Sequence, residues 1–221
     1  AKSTDEARRL VEKLREHALK LPFKEVGNIV EFKDDECDFN KADKDDDYGW
    51  LKIQAKQYID GGSHSFAGVV PSRIIAFTTW PGEGCEQANF GLCLYPGSII
   101  GFSWGSFCKT QYASDPECGG VENFLKCHLA IISLLDHAKS IGILESVSDE
   151  SDYWKKRDLF SGALKDALGE SGKDVKLISE ISGHPDFERL EAGFERKNPE
   201  ESDNMKKTAR VIATLIGDIA R

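Results

Sequence analysis

Cys108 and His128 are the two residues whose types and spacing could support catalysis. Alternation of side chains over residues 101–110 predicts a strand that carries Cys108 near its end. Helical spacing in the segment that follows puts His128 on the same face as the apolar residues. A cysteine nucleophile needs a base within hydrogen-bond reach, and His128 would supply it if the helix packs on the strand. One hypothesis is therefore a cysteine-dependent hydrolase or transferase. The alternative is structural, because cysteine and inward histidine are common in cores.

The polar loop between this strand and this helix predicts a second kind of site. A helix start offers backbone N–H groups and the positive end of the helix dipole to an anion. The same groups can instead cap the helix and fix the loop, so this alternative stays open. The candidate ligand-binding residues are Lys109, Thr110, Gln111, Tyr112, Ser114, Gly119 and Gly120.

A third candidate is an aromatic and basic face on a predicted strand over residues 50–59. Alternation there places Leu51, Ile53, Ala55 and Ile59 on one face and Trp50, Lys52, Gln54, Lys56 and Tyr58 on the other. Such a face could bind a protein partner or a flat ligand. Alternatively, a flanking helix covers it.

The acidic segment at residues 33–48 resembles the opening of a calcium-binding loop. Asp43, Asp45 and Asp47 have the odd-position spacing, but Tyr48 replaces the sharp-turn glycine and Gln54 replaces the bidentate glutamate. We therefore expect a mobile acidic loop that holds no metal. Nucleotide-binding, hydrolase-elbow and zinc-protease motifs do not occur in the sequence, and no cofactor is expected.

Composition limits the class of protein. The 221 residues carry a formal net charge of -9, which argues against binding to nucleic-acid phosphates. Apolar runs are too short to span a membrane, so no membrane partner is expected. The six cysteines lack the close pairs of a structural zinc site, which favours reduced thiols and a cytoplasmic location. Because the chain begins with Ala1 instead of methionine, removal of an upstream segment stays open.

The order of predicted elements indicates a single α+β domain over residues 1–221. A capping box at Ser3 and Glu6 begins an N-terminal helix, and Pro22 lies beyond its end. An antiparallel meander of about five strands follows, over residues 23–32, 50–59, 73–80, 89–95 and 101–110. A C-terminal set of helices completes the domain: the central helix, one over residues 152–168, and a packing helix at 198–221 with Ile212 and Ile216 on its apolar stripe.

Several sequence blocks together resemble a family of conserved hypothetical proteins of bacteria. The resemblance extends from about Trp50 to Ala192, and the chain has a shorter segment between Asp158 and Ser161 than the family would have. It implies no activity, cofactor or catalytic residue. The blocks are W-L-K-I-Q, W-P-G-E-G-C-E, N-F-G-L-C, S-F-C-K-T-Q-Y-A-S, G-G-V-E-N-F-L-K-C-H-L, L-L-D-H-A-K and V-S-D-E.

The sequence therefore favours a domain that binds a small polar or anionic molecule, or a protein partner, without catalysis. The alternative is the cysteine-dependent enzyme that uses Cys108 with His128.

Overall fold

The structure is a computed structural model that describes residues 1–41, 46–60, 66–149 and 153–156. It has the predicted α+β architecture, with an N-terminal helix, an antiparallel sheet and a long helix that follows the sheet. The helices are α1 (Thr4–Ala18), α2 (Gly49–Ala55), α3 (Gly120–Ser140) and α4 (Tyr153–Lys156). The strands are β1 (Glu25–Val26), β2 (Val30–Lys33), β3 (Gln57–Asp60), β4 (Phe66–Val69), β5 (Arg73–Trp80), β6 (Ala88–Leu94) and β7 (Phe102–Ser103).

Helix α1 begins where the capping box predicts. The Ser3 hydroxyl accepts a hydrogen bond from the Glu6 N–H at 3.2 Å, which satisfies one of the amides that a helix start leaves unpaired. The helix ends at Ala18, one turn before Pro22. Its buried face consists of Ala7, Val11, Leu14 and Ala18.

The main sheet has five strands in the described residues, and β5 is its centre. Strands β1 and β2 both pair antiparallel with β5 on one side, and β6 pairs antiparallel on the other. Strand β7 then pairs with β6, so β5, β6 and β7 form a three-stranded antiparallel meander, which is part of the predicted one. Strands β3 and β4 form a separate two-stranded sheet.

The core packs α1 and α3 against this sheet. Val11 of α1, Phe77 of β5 and Leu134 of α3 are all essentially inaccessible to solvent and belong to one apolar cluster. A second cluster lies around α2 and contains Leu51, Ile74, Ala76 and Cys93. Since α3 is anchored in the first cluster, the loop before it is held against the sheet.

The predicted strand over residues 50–59 is wrong in its first half. Residues Gly49–Ala55 form α2, and the strand begins only at Gln57. The carbonyl groups at the end of α2 are satisfied from outside the helix, because the Tyr95 hydroxyl donates to Ala55 O at 2.8 Å and the Trp104 indole to Gln54 O at 3.4 Å.

The predicted strand over residues 101–110 is also too long, because β7 ends at Ser103. Beyond Ser103, side-chain hydrogen bonds and side-chain packing hold the segment to β6 in place of strand pairing. The Ser106 hydroxyl donates to Asn89 O at 2.7 Å, and the Trp104 ring packs over Gly91. Cys108 therefore lies in an irregular segment instead of a strand.

The acidic segment contains regular structure where it is described. Asp34–Cys37 and Phe39–Lys41 are short 3-10 helices, and Cys37 is buried. Residues 42–45 lie outside the described residues, so the mobility of the segment stays a prediction. Most of the helix predicted at 152–168, and all of the packing helix at 198–221 with Ile212 and Ile216, also lie outside the described residues. Within the described ranges, no helix combines the length and apolarity needed to span a bilayer.

Candidate functional site

The segment after β7, at residues 104–110, is held in place by hydrogen bonds with α2 and with Glu86, which precedes β6. The Gln54 side chain of α2 donates to Phe107 O at 2.7 Å. The Glu86 N–H donates to Lys109 O at 3.0 Å, and the Glu86 carboxylate accepts from the Lys109 N–H at 3.2 Å. An irregular segment with this many anchors has a defined backbone, so its side chains project from fixed positions.

A buried polar network lies between the main sheet and the segment at residues 104–110. Asn89 donates to Gln54 Oε1 at 2.9 Å and accepts from the Thr78 hydroxyl at 2.6 Å. Asn89 is 1% exposed, so these bonds satisfy groups that water does not reach. The network connects the centre of the sheet to the backbone of Phe107.

The surroundings of Cys108 keep its thiol protonated. Its sulfur donates to Glu86 O at 3.3 Å. Burial, with a smaller contribution from the charge of Glu86, raises the pKa of the thiol to about 12. A reactive cysteine shows the opposite shift, because the thiolate is the nucleophile.

His128 is buried on α3, as the helical spacing predicts. Its Nδ1 lies 3.4 Å from the Thr110 hydroxyl, and its ring stacks on Phe124 with centroids 5.6 Å apart. On the other side, Nε2 lies 3.9 Å from a carboxylate oxygen of Asp149. Burial lowers the pKa of His128, while Asp149 opposes the shift.

The structure therefore does not join the two residues of the catalytic hypothesis by a hydrogen bond. The Cys108 thiol bonds to backbone carbonyls, while His128 meets Thr110 and Asp149. The loop residue that meets His128 Nδ1 is Thr110, at 3.4 Å. Thr110 takes that role because the loop turns back onto α3 after Lys109.

The backbone amides predicted from the sequence to bind an anion donate to carbonyl groups of the loop itself. The Gly119 N–H donates to Pro116 O at 3.2 Å, and the Gly120 N–H donates to Asp115 O at 2.9 Å. Gly119 has a φ of 104°, a left-handed conformation that suits glycine. The Gly119 and Gly120 amides are therefore used within the loop, although no side chain caps the start of α3.

The other predicted ligand residues divide between internal and exposed positions. Thr110 is buried against His128, and the Ser114 hydroxyl donates to Gln111 O at 2.7 Å. The Lys109 ammonium lies 3.9 Å from the Glu86 carboxylate and its side chain is 54% exposed. Tyr112 is 64% exposed, although the adjoining Ala113 is fully buried.

Two large aromatic side chains project from the anchored loop. Phe107 is 56% exposed, and Tyr112, on the 3-10 helix at Gln111–Ser114, is 64% exposed. Trp50 of α2 meets the Phe107 ring edge-on, with centroids 5.7 Å apart and planes at 89°. We use the name aromatic face for the two exposed rings of this loop, Phe107 and Tyr112, together with Trp50, which contacts Phe107. The sequence indicated Trp50 and Tyr112 separately and gave no reason to join them to Phe107.

The predicted aromatic and basic face on residues 50–58 does not exist as one surface. Lys52 is 7% exposed, pairs with Asp46 at 2.8 Å, and lies over the Phe32 ring at 4.3 Å. Because residues 49–55 are helical, Trp50 and Lys52 point in different directions. A cavity of about 150 Å³ instead lies between α2 and the acidic segment, lined in part by Lys52, Lys56 and Asp38.

No sequence pattern indicates that Cys127 of α3 contacts the turn at residues 82–85. Gly82 begins a turn that Cys85 closes, with the Cys85 N–H donating to Gly82 O at 3.2 Å. A Cβ at Gly82 would lie 2.6 Å from the Cys127 sulfur, so the turn packs directly on that thiol. Asn123 donates to Glu83 O at 2.8 Å and accepts from the Cys127 thiol at 3.5 Å, which fixes the turn on the helix.

Metal ligation has no support in the part of the chain that the structure describes. No group of three or more His, Cys, Asp or Glu side chains there is arranged to hold an ion. Comparison of the chain with protein-family models, curated proteins and solved structures found no match. The family resemblance of the sequence blocks therefore stays a prediction.

Proposed function

We propose that this domain binds a protein partner, without catalysis, through the aromatic face. The observation that carries the proposal is the pair of half-exposed aromatic rings, Phe107 and Tyr112, on a loop anchored by buried hydrogen bonds. Aromatic side chains dominate the energetics of protein interfaces because they bury a large area and lose little conformational entropy.

The anchoring of the loop favours binding because it lowers the cost of association. Ordering a flexible loop on binding consumes part of the interaction energy. Here Gln54, Ser106 and Glu86 already fix the backbone on both sides of Phe107. The aromatic face is therefore preorganised.

Charge favours a basic partner. Beyond Tyr112, the loop exposes Asp115 and Glu117, and the first turn of α3 exposes Glu122. The chain as a whole carries a formal net charge of -9, whose field attracts a positively charged surface. We infer that the partner presents apolar side chains to Phe107 and Tyr112 and Lys or Arg side chains to the acidic residues.

A protein partner is favoured over a small anion because hydrogen-bond donors of the loop already have partners inside the domain. The Gly119 and Gly120 amides and the Thr110 hydroxyl have partners within the domain. Lys109 is the one cationic side chain among the predicted ligand residues, and Glu86 lies beside it.

The test is a titration of short synthetic peptides of equal length into the full chain. One set combines Lys and Arg with Leu and Phe, a second keeps the apolar residues but carries Asp and Glu, and a third is basic without apolar residues. We expect the first set to bind best and its affinity to fall with added salt. Equal binding of the acidic set would contradict the proposal.

Variants locate the binding surface. The double substitution Phe107→Ser with Tyr112→Ser should weaken binding of the basic, apolar peptides by about tenfold or more. Leu19, which is 54% exposed at the end of α1, provides a matched control, and Leu19→Ser should leave the affinity unchanged. Equal losses in the two variants would mean that the peptides bind exposed apolar side chains without preference.

The enzyme hypothesis is the weaker proposal, because the raised pKa of Cys108 disfavours a nucleophile. A cytoplasmic location and the absence of a nucleic-acid partner remain predictions from composition.

A further inference from the structure

We propose that the cavity between α2 and the acidic segment binds a small zwitterion, namely a free α-amino acid with an apolar side chain. The inference does not depend on the proposed binding function, because the residues of the aromatic face do not line this cavity. It depends on a lysine, an aspartate and an apolar wall that line the same cavity.

The walls of the cavity are fixed by packing on α2. A Cβ at Gly49, the first residue of this helix, would lie 3.0 Å from the Phe39 ring, so the ring packs directly on the helix start. Cys37 is buried in the same apolar cluster as Leu51 of α2. The cavity is therefore formed before a ligand enters, as ligand sites usually are.

Lys52 is part of the wall, and its charge is already compensated within the domain. Its ammonium lies 2.8 Å from the Asp46 carboxylate and 4.3 Å from the centre of the Phe32 ring. The residue is only 7% exposed, so this ion pair is shielded from water. A ligand carboxylate must therefore find another cation.

Lys56, the residue that follows α2, supplies that cation. Because Gly68 of β4 has no side chain, Lys56 lies across this strand, and a Cβ at Gly68 would be 2.2 Å from Lys56 Cε and 3.0 Å from Nζ. The ion pairs of the described residues do not include the Lys56 ammonium. A carboxylate bound in the cavity would gain a charge-assisted hydrogen bond from it.

Asp38 supplies the opposite charge. Its Oδ1 accepts from the Asn40 backbone N–H at 3.0 Å and from the Asn40 side-chain amide at 3.2 Å. These two bonds orient the carboxylate through one oxygen, and the other oxygen can accept from a ligand ammonium. An anion alone would leave Asp38 unmatched, and an amine alone would leave Lys56 unmatched.

The size and lining of the cavity restrict the ligand further. Its volume of about 150 Å³ corresponds to about five water molecules, which suits a molecule of a few carbon atoms and excludes a nucleotide. Phe39, Ile53 and Val70 provide the apolar part of the lining. Since a peptide terminus carries only one of the two charges, a free amino acid is the matching class.

The test is isothermal titration calorimetry of the full chain with L-valine and two analogues that each lack one charge. Isobutylamine has no carboxylate, and isovalerate has no ammonium. We expect L-valine to bind at one site per chain, and each analogue to bind more weakly by about tenfold or more. Both analogues are smaller than L-valine, so weaker binding cannot come from a clash with the walls. Equal affinity of isovalerate and L-valine, or no saturable heat with L-valine at about 10 mM, would overturn the proposal.

Substitutions then locate the site. Lys56→Met keeps most of the apolar stem and removes the charge, and Asp38→Asn keeps the shape of the side chain. Each should weaken L-valine binding by about tenfold. Lys20→Met is the matched control, since Lys20 is exposed just after α1, and it should leave the affinity unchanged. Unchanged affinity in Lys56→Met would also overturn the proposal. The comparison of the analogues uses the unaltered chain, so it remains decisive if a variant folds poorly.

Discussion

The imidazole rings of His17 and His137 stack face to face, with centroids 4.1 Å apart and planes within 9° of parallel. They join α1 to α3, the two helices that cover the sheet. Burial, followed by the neighbouring His137 and Lys20, lowers the pKa of His17. A lowered histidine pKa means that the unfolded chain takes up a proton that the folded chain resists, so acid should weaken this helix contact.

The stability of the domain should therefore fall as the pH drops through about 6.5, the ordinary histidine pKa in an unfolded chain. Above that pH both states are neutral at His17 and the effect is absent. His17→Phe keeps a stacked ring without a titrating group, so it should reduce the dependence of the unfolding free energy on pH. Denaturant unfolding at a series of pH values measures this. An unchanged slope in His17→Phe would assign the pH dependence elsewhere, with His128, whose pKa is also lowered, as the first alternative.

Asn89→Ala should destabilise the domain by about 1–3 kcal/mol, because it leaves Gln54 and Thr78 without their buried partner. Asn40 is the control, since its side chain bonds to Asp38 at the exposed surface. Asn40→Ala should change the free energy of unfolding by less than about 0.5 kcal/mol. Similar values for the two variants in urea unfolding would mean that the buried network contributes little.

Gly91→Ala should cost about 1–3 kcal/mol through overpacking. A Cβ there would lie 2.4 Å from Ile75 O and 2.6 Å from the Trp104 ring. Gly105 offers a matched control in the segment that follows, because a Cβ at that position meets nothing within 4 Å. Thermal unfolding compares the two. A greater loss in Gly105→Ala would show that the Trp104 ring does not pack on Gly91 as described.

Calcium should not bind the acidic segment at micromolar concentration. Asp46 already pairs with Lys52 and accepts from the Tyr48 N–H at 3.0 Å, and Tyr48 occupies the glycine position of a calcium loop. Isothermal titration calorimetry of the full chain checks this prediction. Heat that saturates at one calcium per chain would show it to be wrong.

The sequence predicted the elements whose patterns are long. Arg73–Trp80 is a strand with the predicted bounds, because its run of apolar and β-branched residues is buried at the centre of the sheet. Helix α3 follows the 3.6-residue period over five turns, with His128 facing inward as expected. In these cases one pattern fits one structure.

The errors occurred where a short pattern fits two structures. Residues 49–55 satisfy a strand alternation as well as a helix, and contacts distant in sequence decide between them: Tyr95 and Trp104 bond to the last carbonyls of α2. Gly82 and Cys127 are far apart in the chain, and no local spacing indicates that the turn at residues 82–85 packs on α3. The aromatic face depends in the same way on where Phe107 lies relative to Trp50.

Hydrogen–deuterium exchange of the full chain, with and without a bound basic, apolar peptide, tests the proposed binding surface most directly. We predict that the peptide slows exchange in the loop at residues 105–118. Exchange should stay unchanged at the tip of the β6–β7 connection, residues 97–101. That tip is the informative comparison, because Ile99 and Ile100 are 99% and 69% exposed and would attract any apolar peptide. Protection at the tip without protection of the loop would contradict binding through the aromatic face.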